Sequence, residues 1–159
     1  MDKTQKERWL PVLFDLYYKN MHQIAPTGLS YQEERTNWLS EVSPALDKDP
    51  RQIMLCLNEC DLLGYIQYYT RGPLLMIEEV QMIPAYHRTL LFHRMCKYLH
   101  SQLPQNIEKI EAYADIRNTY SRNIMNKMGF RETNEATYPG LVHLRADACT
   151  VVRHFIRAK

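Results

Sequence analysis

The stretch Leu74–His100, LLMIEEVQMIPAYHRTLLFHRMCKYLH, changes its hydrophobic period in the middle. Leu74 to Ile83 is an apolar run that reads as a buried strand, and Pro84 ends its ladder because proline has no backbone N–H to donate. A short polar loop follows. From about Arg88 the pattern becomes helical: Leu91, Met95 and Leu99 recur at four-residue spacing, flanked by Phe92 and Cys96, which predicts an amphipathic helix of about three turns. A strand, tight loop and helix in that order aim free N–H groups and a positive dipole end at an anion.

Length and charge narrow the classes of function. The 159 residues suffice for one domain, 1–159, with a substantial core. Twenty lysines and arginines against 18 acidic residues leave a formal charge of +2, which weighs against nucleic acid or a polybasic membrane surface, although a local basic patch stays open. No segment approaches the roughly 20 apolar residues of a membrane span, and the N-terminal MDKTQKER leads into an amphipathic pattern, not a signal-peptide core. A cytoplasmic protein without a membrane partner is the expectation. Cys56, Cys60, Cys96 and Cys149 form no CxxC pair and read as reduced thiols, neither disulfides nor zinc ligands.

Outward from the central stretch, Trp9, Leu10, Leu13, Phe14, Leu16, Tyr17 and Met21 form a broad apolar stripe that predicts a helix over Lys6 to His22, with Pro11 in its first turn. Ser30-Tyr31-Gln32-Glu33 has the form of a capping box and opens a second helix, expected to stop before Pro44. Gln52 to Leu57 and Leu62 to Thr70 read as a β-hairpin joined by Asn58–Asp61, and the Leu74 strand continues the meander through Arg71-Gly72-Pro73. Beyond Pro104, Lys109 to Ala114 is a further strand and, because it follows a helix, a parallel neighbour of the Leu74 strand. Asn118 or Asp115 caps the next helix, which carries Tyr120, Ile124 and Met128 and ends at Gly129 in the left-handed position. Phe130 to Glu132 starts a strand, and Leu141 to Leu144 and Cys149 to Ile156 read as one or two more. The predicted class is α/β, a mixed sheet with helices on its faces.

In that order the residues resemble the GNAT superfamily of acyl-CoA-dependent N-acetyltransferases. The likeness spans roughly Gln52 to Glu132, and its most specific piece is NTYSRNIMNKMGF, similar to the family's Asn-x-x-Ala/Ser helix ending in Gly-Phe. The resemblance implies that the strand Leu74 to Ile83 bulges and splays from its parallel neighbour, leaving peptide groups near Val80 and Met82 to pair with the pantetheine arm of acetyl-CoA. It implies that the loop His87, Arg88, Thr89, Leu90 to Phe92 cradles the pyrophosphate with backbone amides. Asn118 and Ser121 would face the same arm, with no metal required. The family's usual first strand has no match before the Trp9 helix.

Two positions depart from the pattern. The family's loop has small residues where Leu90 and Phe92 stand here, and Leu90 carries a side chain in the path of a phosphate, with His87, Arg88 and Arg94 as the cations that would compensate. Met125 stands where the family often has a tyrosine that protonates the leaving thiolate, and a thioether donates no proton. Tyr86, Tyr113 and Tyr120 are the candidate replacements, Tyr120 being the one assigned. Glu78 and Glu79 are the candidate general bases; strand alternation predicts that only one of them faces an acceptor. Asn118 has a second reading as a plain helix cap, and Ser121 reads equally as a plain helix surface residue. His93, Cys96 and His100 share a helical face but mark a polar boundary more than a metal site.

The reading that follows is transfer of an acetyl group from acetyl-CoA to a primary amine on a small-molecule or peptide acceptor. Its rival is a catalytically inactive GNAT-like binding or regulatory module. A nucleic-acid binder is the third alternative, and the C-terminal strands serve equally to complete the sheet or to pair across a homodimer.

Overall fold

The computed structural model describes residues 1–48, 50–135 and 138–157. Helix α1 (Lys3–Ile24) begins three residues earlier than its apolar stripe predicts, because Asp2 and Gln5 form a capping box: Gln5 N donates to Asp2 Oδ1 at 2.8 Å and Asp2 N to Gln5 Oε1 at 3.0 Å. Pro11 therefore lies in the third turn and not the first. It deprives the Glu7 carbonyl of a helical donor, and the helix continues because Leu10, Leu13, Phe14 and Leu16 on either side are buried. Helix α2 (Tyr31–Lys48) starts at the expected box, where Ser30 N donates to Glu33 Oε2 at 2.9 Å. It runs through Pro44, against expectation. Beyond the proline Leu46 is buried, and Lys6 ties down the last turns by donating to Ser43 O at 2.9 Å and pairing with Asp47 at 2.5 Å.

The strands are β1 (Gln52–Asn58), β2 (Asp61–Arg71), β3 (Leu74–Met82), β4 (Lys109–Asp115), β5 (Arg131–Glu132) and β6 (Leu141–Asp147). They form one six-stranded sheet in the order β1-β2-β3-β4-β6-β5, in which β3 and β4 are parallel and every other pair is antiparallel. Among the described residues no strand precedes α1, so the sheet begins with the predicted hairpin. Helix α3 (Leu91–Gln102) starts later than Arg88, since Pro84–Tyr86 takes a 3-10 turn and Thr89 N bonds back to Tyr86 O at 3.1 Å. Helix α4 (Thr119–Lys127) is capped by Asn118, whose Oδ1 accepts from Ser121 N at 3.0 Å.

The C-terminal segment expected as a strand over Cys149 to Ile156 is instead helix α5 (Ala148–Arg157). Its β-branched valines suggested a strand. What decides the outcome is that Ala148 and Val151, one helical turn apart, bury themselves in the core formed with α3 and α4. Each face of the sheet thus has its own core. Helices α1 and α2 cover one face, with Phe14, Trp38 and Tyr65 buried between, and α3, α4 and α5 cover the other around Leu75, Met95, Leu99, Phe130 and Leu144.

Gly129 closes α4 with φ of +98°, and a Cβ built there would sit 2.5 Å from Thr150 Cγ2 of α5. Gly129→Ala should therefore lower stability by roughly 1–3 kcal/mol through both the left-handed backbone and the clash. Adding Thr150→Ser removes the methyl and should recover part of that loss in thermal denaturation; complete recovery, or none, would contradict one of the two causes.

Candidate active site

The site originates in the register of β3. Against β2, Gln67 pairs with Glu79 but Tyr68 pairs with Ile77, so Glu78 is an extra residue, a β-bulge. On its other side β3 pairs with β4 only from Leu74–Lys109 to Ile77–Ala112. Beyond those pairs the two parallel strands part. The cleft between them has a volume of about 580 Å³ and is bounded by β3, β4, the start of α4 and the side of α1.

The bulge changes the expectation for the two glutamates. Regular alternation would send them to opposite faces, but with one residue inserted both turn toward α1 and α2: Gln67 Nε2 donates to Glu78 at 3.1 Å, and the Tyr65 hydroxyl, two residues away on the same face of β2, donates to Glu79. Their environments then diverge. Arg51 grips Glu78 with Nε and with Nη2, the latter 2.6 Å from Oε1. Among the described residues the hydrogen bonds to Glu79 come from neutral groups, foremost Tyr65 and, at 3.4 Å, Trp38 Nε1. Burial pushes its carboxyl up to about 7, partly opposed by hydrogen bonds from Tyr65, Trp38 and Gln81 and assisted by the Glu78 charge. The Tyr17 phenol beside it is raised to about 12, by burial first and then by Glu79.

The residues expected to hold an acyl carrier divide into those at the cleft and those away from it. Ile83 N bonds to Leu63 O on β2, so alternation along the strand turns the peptide groups of Val80 and Met82 the other way, toward the gap left by β4. The Met82 carbonyl already accepts from Asn20 Nδ2 at 2.9 Å and lies 3.0 Å from His87 Nε2. His87, Thr89, Asn118, Tyr120 and Ser121 line the cleft. Arg88 and Leu90 do not: both are exposed, Leu90 by 53%, so the side chain that threatened to block the loop points to solvent. Asn118 spends its carbonyl on the cap, leaving its NH₂ as the group able to serve a ligand. Tyr120 donates to His87 O at 2.8 Å and stacks on the His87 ring, which fastens α4 to the loop. Met125, the position of the family's tyrosine, is buried.

Tyr65, Trp38, Arg51, Tyr17 and Asn20 were not foreseen as site residues. The one available signal was polar residues, Gln67 and Gln81, at inward positions of strands otherwise filled by apolar side chains; both are buried, and Gln81 accepts from Asn20 at 3.0 Å. His93, expected at a boundary, stacks on His154 with ring centroids 5.6 Å apart at the rim.

No protein-family model matches the chain, and no curated protein matches it by sequence. Solved structures do match by shape. The PaiA N-acetyltransferase from Thermoplasma acidophilum, in complex with coenzyme A, superimposes with a TM-score of 0.69 at 12% identity, over 92% of this chain and 95% of its own. An acetyltransferase from Thermus thermophilus gives 0.69 at 14% identity, over 90% and 91% of the two chains. Tetrahymena GCN5 gives 0.62 at 15% identity, over 89% and 87%. The chain has the fold of the GNAT acetyltransferases.

Glu79 makes stability depend on pH with a defined sign. Its carboxyl holds a proton up to about 7 in the folded chain against about 4.5 ordinarily, so between those values the folded state binds more protons and stability falls as pH rises. By pH 8 the loss should reach about 3 kcal/mol relative to acid conditions, a loss that Glu79→Gln removes. Denaturant melts of both proteins at pH 5 and pH 8 measure it; equal pH dependence in the two would show that Glu79 is not the group responsible.

Proposed function

We propose that the protein transfers an acetyl group from acetyl-CoA to a primary amine, with Glu79 as general base. The observation that carries this reading is a carboxylate, Glu79, that lines the cleft where β3 and β4 part, has no cationic partner among the described residues and has its proton affinity raised by burial. A base with that affinity for protons accepts one from an ammonium near pH 7 and returns it to solvent. Glu78, neutralised by Arg51, orients the bulge and raises the proton affinity of Glu79.

The residues present fit coenzyme A. The cleft is open along the ladder-free edge of β3, Leu90 is turned outward while Phe92 lines the cleft, and the first turn of α3 precedes its first helical bond, Arg94 N to Leu90 O, with Leu91 N already donated to Thr89 Oγ1. Val80 and Met82 would hold the pantetheine arm through their peptide groups, Asn118 through its NH₂ and Ser121 through its hydroxyl, with His87, Arg88 and Thr89 at the phosphates. Coenzyme A, when bound, supplies an acetyl thioester whose C–S bond breaks as the N–C bond to the amine forms. Glu79 would take the ammonium proton and pass it to solvent before the amine adds, an N–H near Met82 would stabilise the oxyanion, and Tyr120 would exchange its bond to His87 O for one that delivers a proton to the leaving thiolate, its own proton being restored by the second proton that the nitrogen loses as the amide forms. No residue is assigned to a metal. The protein acts on this reading in the cytoplasm, on a small-molecule or peptide amine.

Calorimetric titration with acetyl-CoA tests the reading, and micromolar affinity is expected. Asn118→Asp keeps the cap but loses the NH₂ donor, so it should weaken binding with little change in melting temperature, whereas Asn118→Ala should also cost about 1 kcal/mol of stability. Absence of binding at millimolar coenzyme would favour the non-catalytic module. In the active enzyme Glu79→Gln should bind acetyl-CoA normally yet lower kcat about 10²–10⁴-fold and abolish the rise of rate near pH 7. An unaltered pH profile would remove Glu79 from the role.

A further inference from the structure

We propose that the acceptor is a primary amine bearing one positive charge on an apolar or aromatic stem, and that a polyamine is a poor substrate. The inference rests on the acyl-transfer reading for the reaction and on the charge pattern of the cleft for the choice of acceptor. Three carboxylates belong to the cleft: Glu78, Glu79 and Asp115. Two are already matched by arginines. Arg51 forks onto Glu78, and Arg117 forks onto Asp115 with Nε 2.9 Å from Oδ1 and Nη2 2.8 Å from Oδ2. Among the described residues no cation pairs with Glu79, whose partners are the Tyr65 hydroxyl and the Trp38 indole. The cleft therefore holds one vacancy for positive charge, at its floor.

The walls above that floor do not offer another. On the α1 side they are Tyr17, Met21 and Ile24, and on the sheet side Tyr113 and Leu141. Tyr138 extends the second wall outward, edge-on to Tyr113 with ring centroids 5.6 Å apart, and is largely exposed. An alkyl or aryl stem leaving the amine would lie between these apolar surfaces and gain from their burial. A second ammonium a few bonds along the chain would lose water there without finding a carboxylate, a loss that exceeds one order of magnitude in affinity when a full charge goes unpaired.

The test is calorimetric titration of the whole protein at pH 8, where Glu79 is ionised, with 2-phenylethylamine and with spermidine. The first should bind at least about tenfold more tightly. Leu141→Glu puts a carboxylate into the apolar wall at an exposed position and should bring the two affinities together or invert them. Spermidine binding equally well or better in the unaltered protein would overturn the inference, as would failure of both amines to bind; the wild-type ranking decides by itself should the variant not fold. Acetyl transfer to spermidine but not to 2-phenylethylamine would overturn this choice of acceptor while leaving acyl transfer standing. Failure to bind acetyl-CoA would strike the reaction itself, with the amine ranking still read separately.

Discussion

One inserted residue, Glu78, organises the site. An inserted residue bends its strand and disrupts pairing locally, and here β3 keeps its antiparallel partner β2 and leaves its parallel partner β4 beyond Ile77, next to the bulge. The shared orientation of Glu78 and Glu79 is a consequence of that single shift, and the cleft opens directly beyond it, where the peptide groups of Val80 and Met82 face outward. Parallel pairing is the weaker of the two, and β4 remains anchored by its full antiparallel ladder to β6, so the gap opens without loss of the sheet.

Burying two adjacent carboxylates on one face would be prohibitive if both were charged and unpaired. The structure treats them differently. Glu78 is compensated by Arg51, which removes most of its cost, and Glu79 is surrounded by hydroxyl and indole donors that satisfy it in either protonation state but do not fix its charge. The difference between a guanidinium and a phenol as neighbour is what makes one carboxylate structural and the other responsive near neutral pH. The same aromatic shell, Tyr17, Trp38 and Tyr65, also fills the core under α1 and α2, so packing and electrostatics share the same side chains.

Where local pattern and burial disagreed, burial prevailed. Pro11 and Pro44 each remove a helical bond, yet both helices continue because apolar residues beyond the proline reach the core. Valines in the C-terminal segment favour a strand in isolation, but the free space lies between α3 and α4 on the covered face, where a helix presents Ala148 and Val151. Conversely, Leu90 breaks the glycine habit of a phosphate loop without filling it, since the last residue before α3 directs its side chain to solvent.

The sequence by itself determined the hairpin and meander, the parallel return through α3 to β4, the capping box at Ser30 and the Gly129 stop, because these depend on period, punctuation and short-range hydrogen bonds; it narrowed the cap of α4 to Asn118 or Asp115, and the structure chose Asn118. The sequence also marked Glu78, Glu79, Asn118 and Ser121. Only the tertiary structure decided that the bulge turns both glutamates to one face, that Arg51, just before β1, compensates one of them, and that Tyr65 and Trp38, from β2 and α2, surround the other. Charge compensation and desolvation are properties of neighbours far apart in the chain, and no local pattern encodes which side chain will arrive.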